Sequence, residues 1–150
     1  MALLDDVDKK IIELLKIDSR QSYRELAKNL NISHVNVSNR IKNLEEAGVI
    51  RGYTVVVDPD SLNYYPLCLR ISAESGHDLS KIGREIAQHD DINVVLRVSG
   101  ECELLALAMC DNRENAIKLL NNINNIEGIS KSESHIVLDA LKLSGINLNS

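Results

Sequence analysis

The chain is short of the residues that chemistry usually needs in clusters. Its three cysteines, Cys68, Cys102 and Cys110, form no CxxC pair and leave an odd one over. That argues against a disulfide framework or a zinc site and fits small buried residues in a reducing compartment. No apolar run approaches the length of a bilayer span, and the opening residues MALLDDVDKK are acidic where a secretory signal is basic. The expectation is a cytoplasmic protein with no membrane partner. No nucleotide-binding glycine loop, flavin signature or metal-ligand cluster appears, so no cofactor and no metal are expected. His77, His89 and His135 are scattered, no Ser/His/Asp or Cys/His pairing follows from spacing, and no catalytic residue is assigned. Proline occurs twice, and Asp58-Pro59-Asp60 is the one sharp break in composition.

What is present is a soluble, globular composition: 150 residues, 44% hydrophobic and 26% charged. The net charge of -5 is unevenly spread. Residues 19–51 carry six basic side chains (Arg20, Arg24, Lys28, Arg40, Lys42, Arg51) against Glu25, Glu45 and Glu46, a balance of +3. Residues 61–150 carry eight basic against twelve acidic side chains, a balance of -4. Attraction for phosphate depends on the local field, so the sign of the first segment outweighs the total.

That basic segment has the grammar of a helix-turn-helix. Ser22 caps a helix and Glu25 stands at capping-box distance, with Tyr23, Leu26, Ala27 and Leu30 on one face. Asn29 and Asn31 weaken the helix where it should stop, Ile32 anchors the turn, and Ser33 caps a second helix whose inner stripe is Val37, Ile41 and Leu44, ending at Gly48. His34, Val35, Asn36, Ser38, Asn39, Arg40, Lys42 and Asn43 then point outward, a surface of amides, hydroxyls and cations suited to the major groove. Asp5 caps a preceding helix with Val7, Ile11, Leu14 and Leu15 inward, so three helices share one core. IRGYTVVVD after Gly48 reads as a strand, a wing or hinge, and Pro59 stops it. The expected division is 1–58 for the helix-turn-helix domain with its hinge strand and 59–150 for the remainder.

In the second half, Leu67, Leu69, Ile71 and Ala73 alternate with Cys68, Arg70 and Ser72, which predicts a strand. Asp78 caps a helix with Leu79, Ile82 and Ile86 inward, and a strand follows over 92–98 with Ile92, Val94, Leu96 and Val98 on one face. Leu104 to Cys110 is apolar on both faces, marking a central strand. A helix opened by Asp111 carries Ala116, Leu119, Leu120 and Ile123 to Gly128, and a last strand runs from about Ser130 to Leu143. The order βαββαβ is the ferredoxin-like arrangement, and the whole chain is α+β. Two helices cover one face of such a sheet, so the apolar second face calls for an identical sheet, a homodimer.

The segments LDDVDKKIIELL, SYRELAKNLNIS, VSNRIKNLEEAGVIRGYTVVVDPDSLNY, VSGECELL and SESHIVLDALK together resemble the leucine-responsive regulatory protein/AsnC (Lrp/AsnC) family of prokaryotic transcription regulators, over essentially the whole chain. The resemblance implies a winged-helix-like helix-turn-helix that binds double-stranded DNA. It also implies a ferredoxin-like domain sensing a small effector such as an amino acid, in dimers that build tetramers or octamers. The effector site it implies lies at the turn Val98 to Glu103, with Ser99, Gly100, Glu101, Cys102 and Glu103, joined by Ser132, Ser134 and His135. Glu103 stands where the family usually has Asp, and Asn63 where it commonly has Gly. Ser33, His34, Val35, Ser38 and Asn39 are the expected base contacts. Tyr23, Arg24, Arg40, Lys42 and Arg51 are the expected phosphate contacts. An effector-independent architectural DNA-binding protein is the first rival reading. An enzyme related to tetrapyrrole decarboxylases is the second, although such sequences place aromatic, His and Arg residues where this chain has LRVSGECELLA.

Overall fold

Three short helices open the chain: α1 (Asp6–Ile17), α2 (Tyr23–Leu30) and α3 (His34–Glu46). Each begins where a side chain satisfies the free N–H groups of a first turn. Asp5 and Asp8 form a reciprocal capping box on α1, Ser22 and Glu25 another on α2, and Ser33 accepts from the Asn36 N–H to start α3. Between α2 and α3 the chain reverses through Asn31, which holds a left-handed φ of 53°. Asn adopts that conformation more readily than other side chains of its size. Gly48 does the same after α3. Ile11, Leu26, Ala27, Val37, Ile41 and Leu44 form the buried core of this unit, bordered by Val7, Leu14, Leu15, Leu30 and Ile32.

A computed structural model describes residues 4–148, and the chain divides into two compact units between Val55 and Val56, ahead of the Asp58-Pro59-Asp60 break. The expected wing or hinge strand over IRGYTVVVD does not form: residues 51–58 have no regular structure. β-branched residues favour extended backbone, but a strand needs a ladder partner, and this segment has none among the described residues. Val55 is left 81% exposed.

The second unit runs β1 (Tyr65–Ala73), α4 (Leu79–Ile86), β2 (Ile92–Arg97), β3 (Leu104–Cys110), α5 (Arg113–Asn124) and β4 (Ile129–Ile136), followed by a small hairpin of β5 (Lys142–Leu143) and β6 (Ile146–Asn147). The four-stranded sheet has the order β2-β3-β1-β4 with every neighbour antiparallel, which is the ferredoxin-like topology. One face packs under α4 and α5. Leu67, Leu69, Ile71, Leu104, Ala106, Ala108 and Cys110 meet Ile82, Ile86, Ala116, Leu119 and Ile123 there. Burial pushes the Cys110 thiol up to about 11, with Asp91 and Asp111 adding to the shift.

Three expectations need correction. β2 does not place Ile92, Val94, Leu96 and Val98 on one face, because its register with β3 shifts between Ile92 and Val94. That bulge sends Ile92 and Val95 to the helix-covered core, while Val94 and Leu96 pair with Leu107 and Leu105 on the other face. α5 is capped by Asn112, not Asp111. The last strand ends at Ile136, and Ser144 and Gly145, both at positive φ, turn β5 back onto β6. A Ser-Gly pair between two apolar residues is a two-residue hairpin signal. Among the described residues no helix is long and apolar enough to cross a membrane.

Candidate functional site

The outer surface of α3 follows from its inner one. Val37, Ile41 and Leu44 are at most 4% exposed, so helical geometry turns Val35, Asn39, Lys42 and Glu46 to the opposite side. His34, Asn39 and Lys42 are exposed, Val35 is 55% exposed, and Ser38 is half-buried on the flank with His34. Ser33 is exposed, and its Oγ already accepts the Asn36 N–H at 3.1 Å, which leaves the hydroxyl proton and one lone pair for another partner.

On the other flank Asn36, Arg40 and Asn43 border an open cleft of about 670 Å³, shared with Leu4, Asp8 and Asn39.

The cations differ in what they already hold. Arg24 and Arg51 are exposed and, among the described residues, enter no ion pair; the Arg51 Nε donates only to the Gly48 carbonyl at 3.3 Å. Lys42 stands 3.7 Å from Glu46 across one helical turn, an exposed pair of little strength. Tyr23 is 45% exposed at the start of α2, so it belongs to the outer surface more than to the inner face expected from spacing. Arg40 is the exception. Its Nη1 lies 2.7 Å from both Asp5 and Asp8 at the start of α1, and its Nε donates to the Asn36 Oδ1 at 2.8 Å. The two aspartates push the Arg40 pKa up. Asp5 is lowered, first by the Asp8 backbone N–H and then by Arg40. The structure thus gives Arg40 the work of bracing α3 against α1, with its charge already balanced. A phosphate at this position would have to compete with those two carboxylates for Nη1.

In the second unit the turn after β2 closes with the Val98 N–H donating to the Glu103 carbonyl. Gly100, at φ 125°, sits at its open tip, where an added Cβ would meet nothing within 4 Å. Ser99, Gly100 and Glu101 are exposed. The Glu103 carboxylate is taken up internally, accepting the Ala73 N–H at 3.2 Å. A shallow cavity of about 110 Å³ lies beside the turn, lined by Glu101 and Cys102 together with Arg70, Ser72, Lys131 and Glu133. Arg70 reaches Glu101 and Glu133 at 3.4 Å each, and Lys131 lies 2.6 Å from Glu133. Contact with Cys102 is the largest cause raising the Arg70 pKa, and Lys131 the largest lowering that of Glu133.

Ser132, Ser134 and His135 are not brought to this cavity as one group. Ser132 and Ser134 pair with Ile71 and Leu69 and share their face, whereas His135 pairs with Cys68 on the opposite face. The side chains that do join the turn, Arg70 and Ser72 on β1 and Lys131 and Glu133 on β4, alternate with Ser132 and Ser134 and share the face of His135, which stands one pair further along the strand. The period-2 pattern of β1 placed Arg70 and Ser72 on one face; the pairing with β4 that brings Glu133 opposite Arg70 is non-local and had no local signal.

Residues 4–51 match the family described as winged helix-turn-helix DNA-binding, and residues 67–146 match the Lrp/AsnC ligand binding domain. Over 140 residues the chain is 37% identical to an uncharacterized HTH-type transcriptional regulator of Pyrococcus abyssi, covering 93% of this chain and 95% of that protein. It is 31% identical to the HTH-type transcriptional regulator FL11 of Pyrococcus furiosus, covering 93% of each. Among solved structures, AsnC of E. coli superposes with a TM-score of 0.75 at 27% identity, over 95% of this chain and 97% of that one.

Proposed function

Since the chain belongs to the Lrp/AsnC family of transcriptional regulators, which act without an enzymatic step, we propose that paired copies read a DNA site through α3 and that the turn over 98–103 takes part in sensing a small effector. The observation that carries the DNA reading is the locked inner stripe of α3 opposite an exposed face of Val35, Asn39 and Lys42. Asn39, His34, Val35 and the half-buried Ser38 approach base edges in this reading, with Ser33 contributing its hydroxyl. Lys42, Arg24, Arg51 and Tyr23 supply the phosphate contacts that set register. Two such helices in a symmetric pair fit an imperfect palindrome whose half-sites lie about 34 to 36 Å apart on one DNA face.

For the effector, Gly100 leaves the backbone of the turn open, while Arg70, Lys131, Glu101 and Glu133 offer both charges beside it, a combination matched to a zwitterion such as an amino acid. Glu103, engaged with Ala73, holds the turn in shape.

Binding measured by fluorescence anisotropy across a salt titration tests the roles. Lys42→Ala should weaken every duplex alike and lower the salt slope by about one. Asn39→Ala should change which site is preferred while keeping the slope. If both variants match the parent on specific and random duplexes, α3 is not the reading element. A thermal-shift screen of the common amino acids tests sensing, because a ligand that prefers the folded state raises the melting temperature. No shift from any of them removes the amino-acid reading and leaves the DNA reading standing.

A further inference from the structure

The three groups that fix Arg40 leave a mark on its neighbour. Asp5 and Asp8 are themselves immobilised: the Asp8 N–H donates to Asp5 Oδ1 at 2.8 Å and the Asp5 N–H to Asp8 Oδ2 at 3.2 Å. Both carboxylates grip Nη1 of Arg40, whose side chain is 27% exposed. The guanidinium is therefore held at two points before it reaches α3's own surface, where its Nε lies 2.8 Å from the Asn36 side chain one turn earlier.

A guanidinium has donors only. The Asn36 atom facing it must be the amide oxygen, and turning the amide over would set its NH2 against another donor. The free end of Asn36, exposed on the cleft flank of α3, is consequently the two-hydrogen donor end. An asparagine that bridges adenine in the major groove needs both ends, its oxygen for N6–H and its NH2 for N7. With one lone pair of its oxygen taken by Arg40 and its NH2 turned outward, Asn36 suits an edge made of acceptors better than adenine, which sets a donor, N6–H2, beside its single acceptor N7. Guanine offers two side by side, O6 and N7; thymine offers O4.

We propose that Asn36 is a specificity-determining residue, oriented by Arg40 with its NH2 outward so that it favours an acceptor edge, guanine or thymine, over the mixed edge of adenine. This rests on α3 being the reading helix, and Arg40 enters as a positioning residue.

Selecting bound duplexes from a randomised pool with the full chain tests it. The parent should enrich guanine or thymine at one symmetric pair of positions, which also distinguishes the two acceptors. Asn36→Ala, at an exposed position that needs no repacking, should reduce discrimination there about tenfold and leave other positions within twofold. Asn36→Asp, an acceptor only, should move the same positions toward cytosine, whose edge offers a donor. Arg40→Met, once circular dichroism shows that it folds, frees the amide to present both ends and should raise the share of adenine at those positions. Should that variant fail to fold, the two Asn36 variants still decide the matter. An enriched parental site that Asn36→Ala leaves unchanged at every position overturns this inference alone. A parent that enriches no site overturns the sequence-reading function with it.

Discussion

Arg40 shows how a single side chain can be legible by type while its partners are not. Its outward position on α3 and its charge were plain from helical spacing. The aspartates that hold it lie 35 and 32 residues away, at the cap of α1, a contact no local pattern announces. The arrangement also sets a pH dependence. Asp5 ionises more readily in the folded unit than in an unfolded chain, where its value is near 3.8. Its contribution to stability is thus complete above about pH 4 and is lost as pH falls through the lowered folded value. Asp18 and Glu25, lowered by hydrogen bonds from Arg20 and Ser22, act in the same direction. Thermal melts of the chain between pH 2 and pH 6 should show stability falling toward acid. Asp5→Asn should flatten part of that fall, with its largest deficit relative to the parent above pH 4. An unchanged acid limb in Asp5→Asn would mean that the ionised Asp5 carboxylate adds no stability through its contacts with the Asp8 N–H and Arg40.

At the scale of elements, helices were read well and strands less well, for one physical reason. A helix carries its instructions within a turn: caps at Asp5, Ser22, Ser33 and Asp78, and apolar stripes at the helical period, located all but the cap of α5. A strand depends on what lies beside it. The bulge in β2 is set by its register with β3, and the 51–58 segment stays irregular because no ladder partner lies beside it among the described residues. Connections are constrained in the same way. Gly128, between α5 and β4, has φ 90°, its carbonyl accepts the Glu74 N–H at 2.8 Å, and an added Cβ would overlap the His77 ring. Backbone strain and overlap act together there, so Gly128→Ala should cost about 2 kcal/mol or more in denaturant melts. A His77→Ala background should recover only the steric share. Full recovery would place the whole penalty in the overlap and none in the backbone.

For the whole molecule, the sheet has one face covered and one open. Leu105, Leu107 and Met109 on β3 are half-buried, Leu96 on β2 is 49% exposed, and Cys68 on β1 pairs with Leu107 beside them. Arg70, Glu133 and Lys131 border this apolar strip and limit where a second copy can settle without burying unpaired charge. A homodimer through this face would cover the strip, and it would also answer the modest +3 balance of residues 19–51, because two weak DNA contacts joined in one particle bind far more tightly than either alone. Leu107→Asp places a carboxylate in the middle of the strip while leaving the helix-turn-helix unit, a separate compact body, untouched in sequence. Sedimentation should then show a monomer at concentrations where the parent is dimeric, and affinity for a palindromic duplex should fall about a hundredfold, while affinity for an isolated half-site stays within a few-fold of the parent's. A variant that still sediments as a dimer would show that the pair forms elsewhere. A monomer that keeps full affinity for the palindrome would show that pairing of the sheets is not what brings two reading helices to one site.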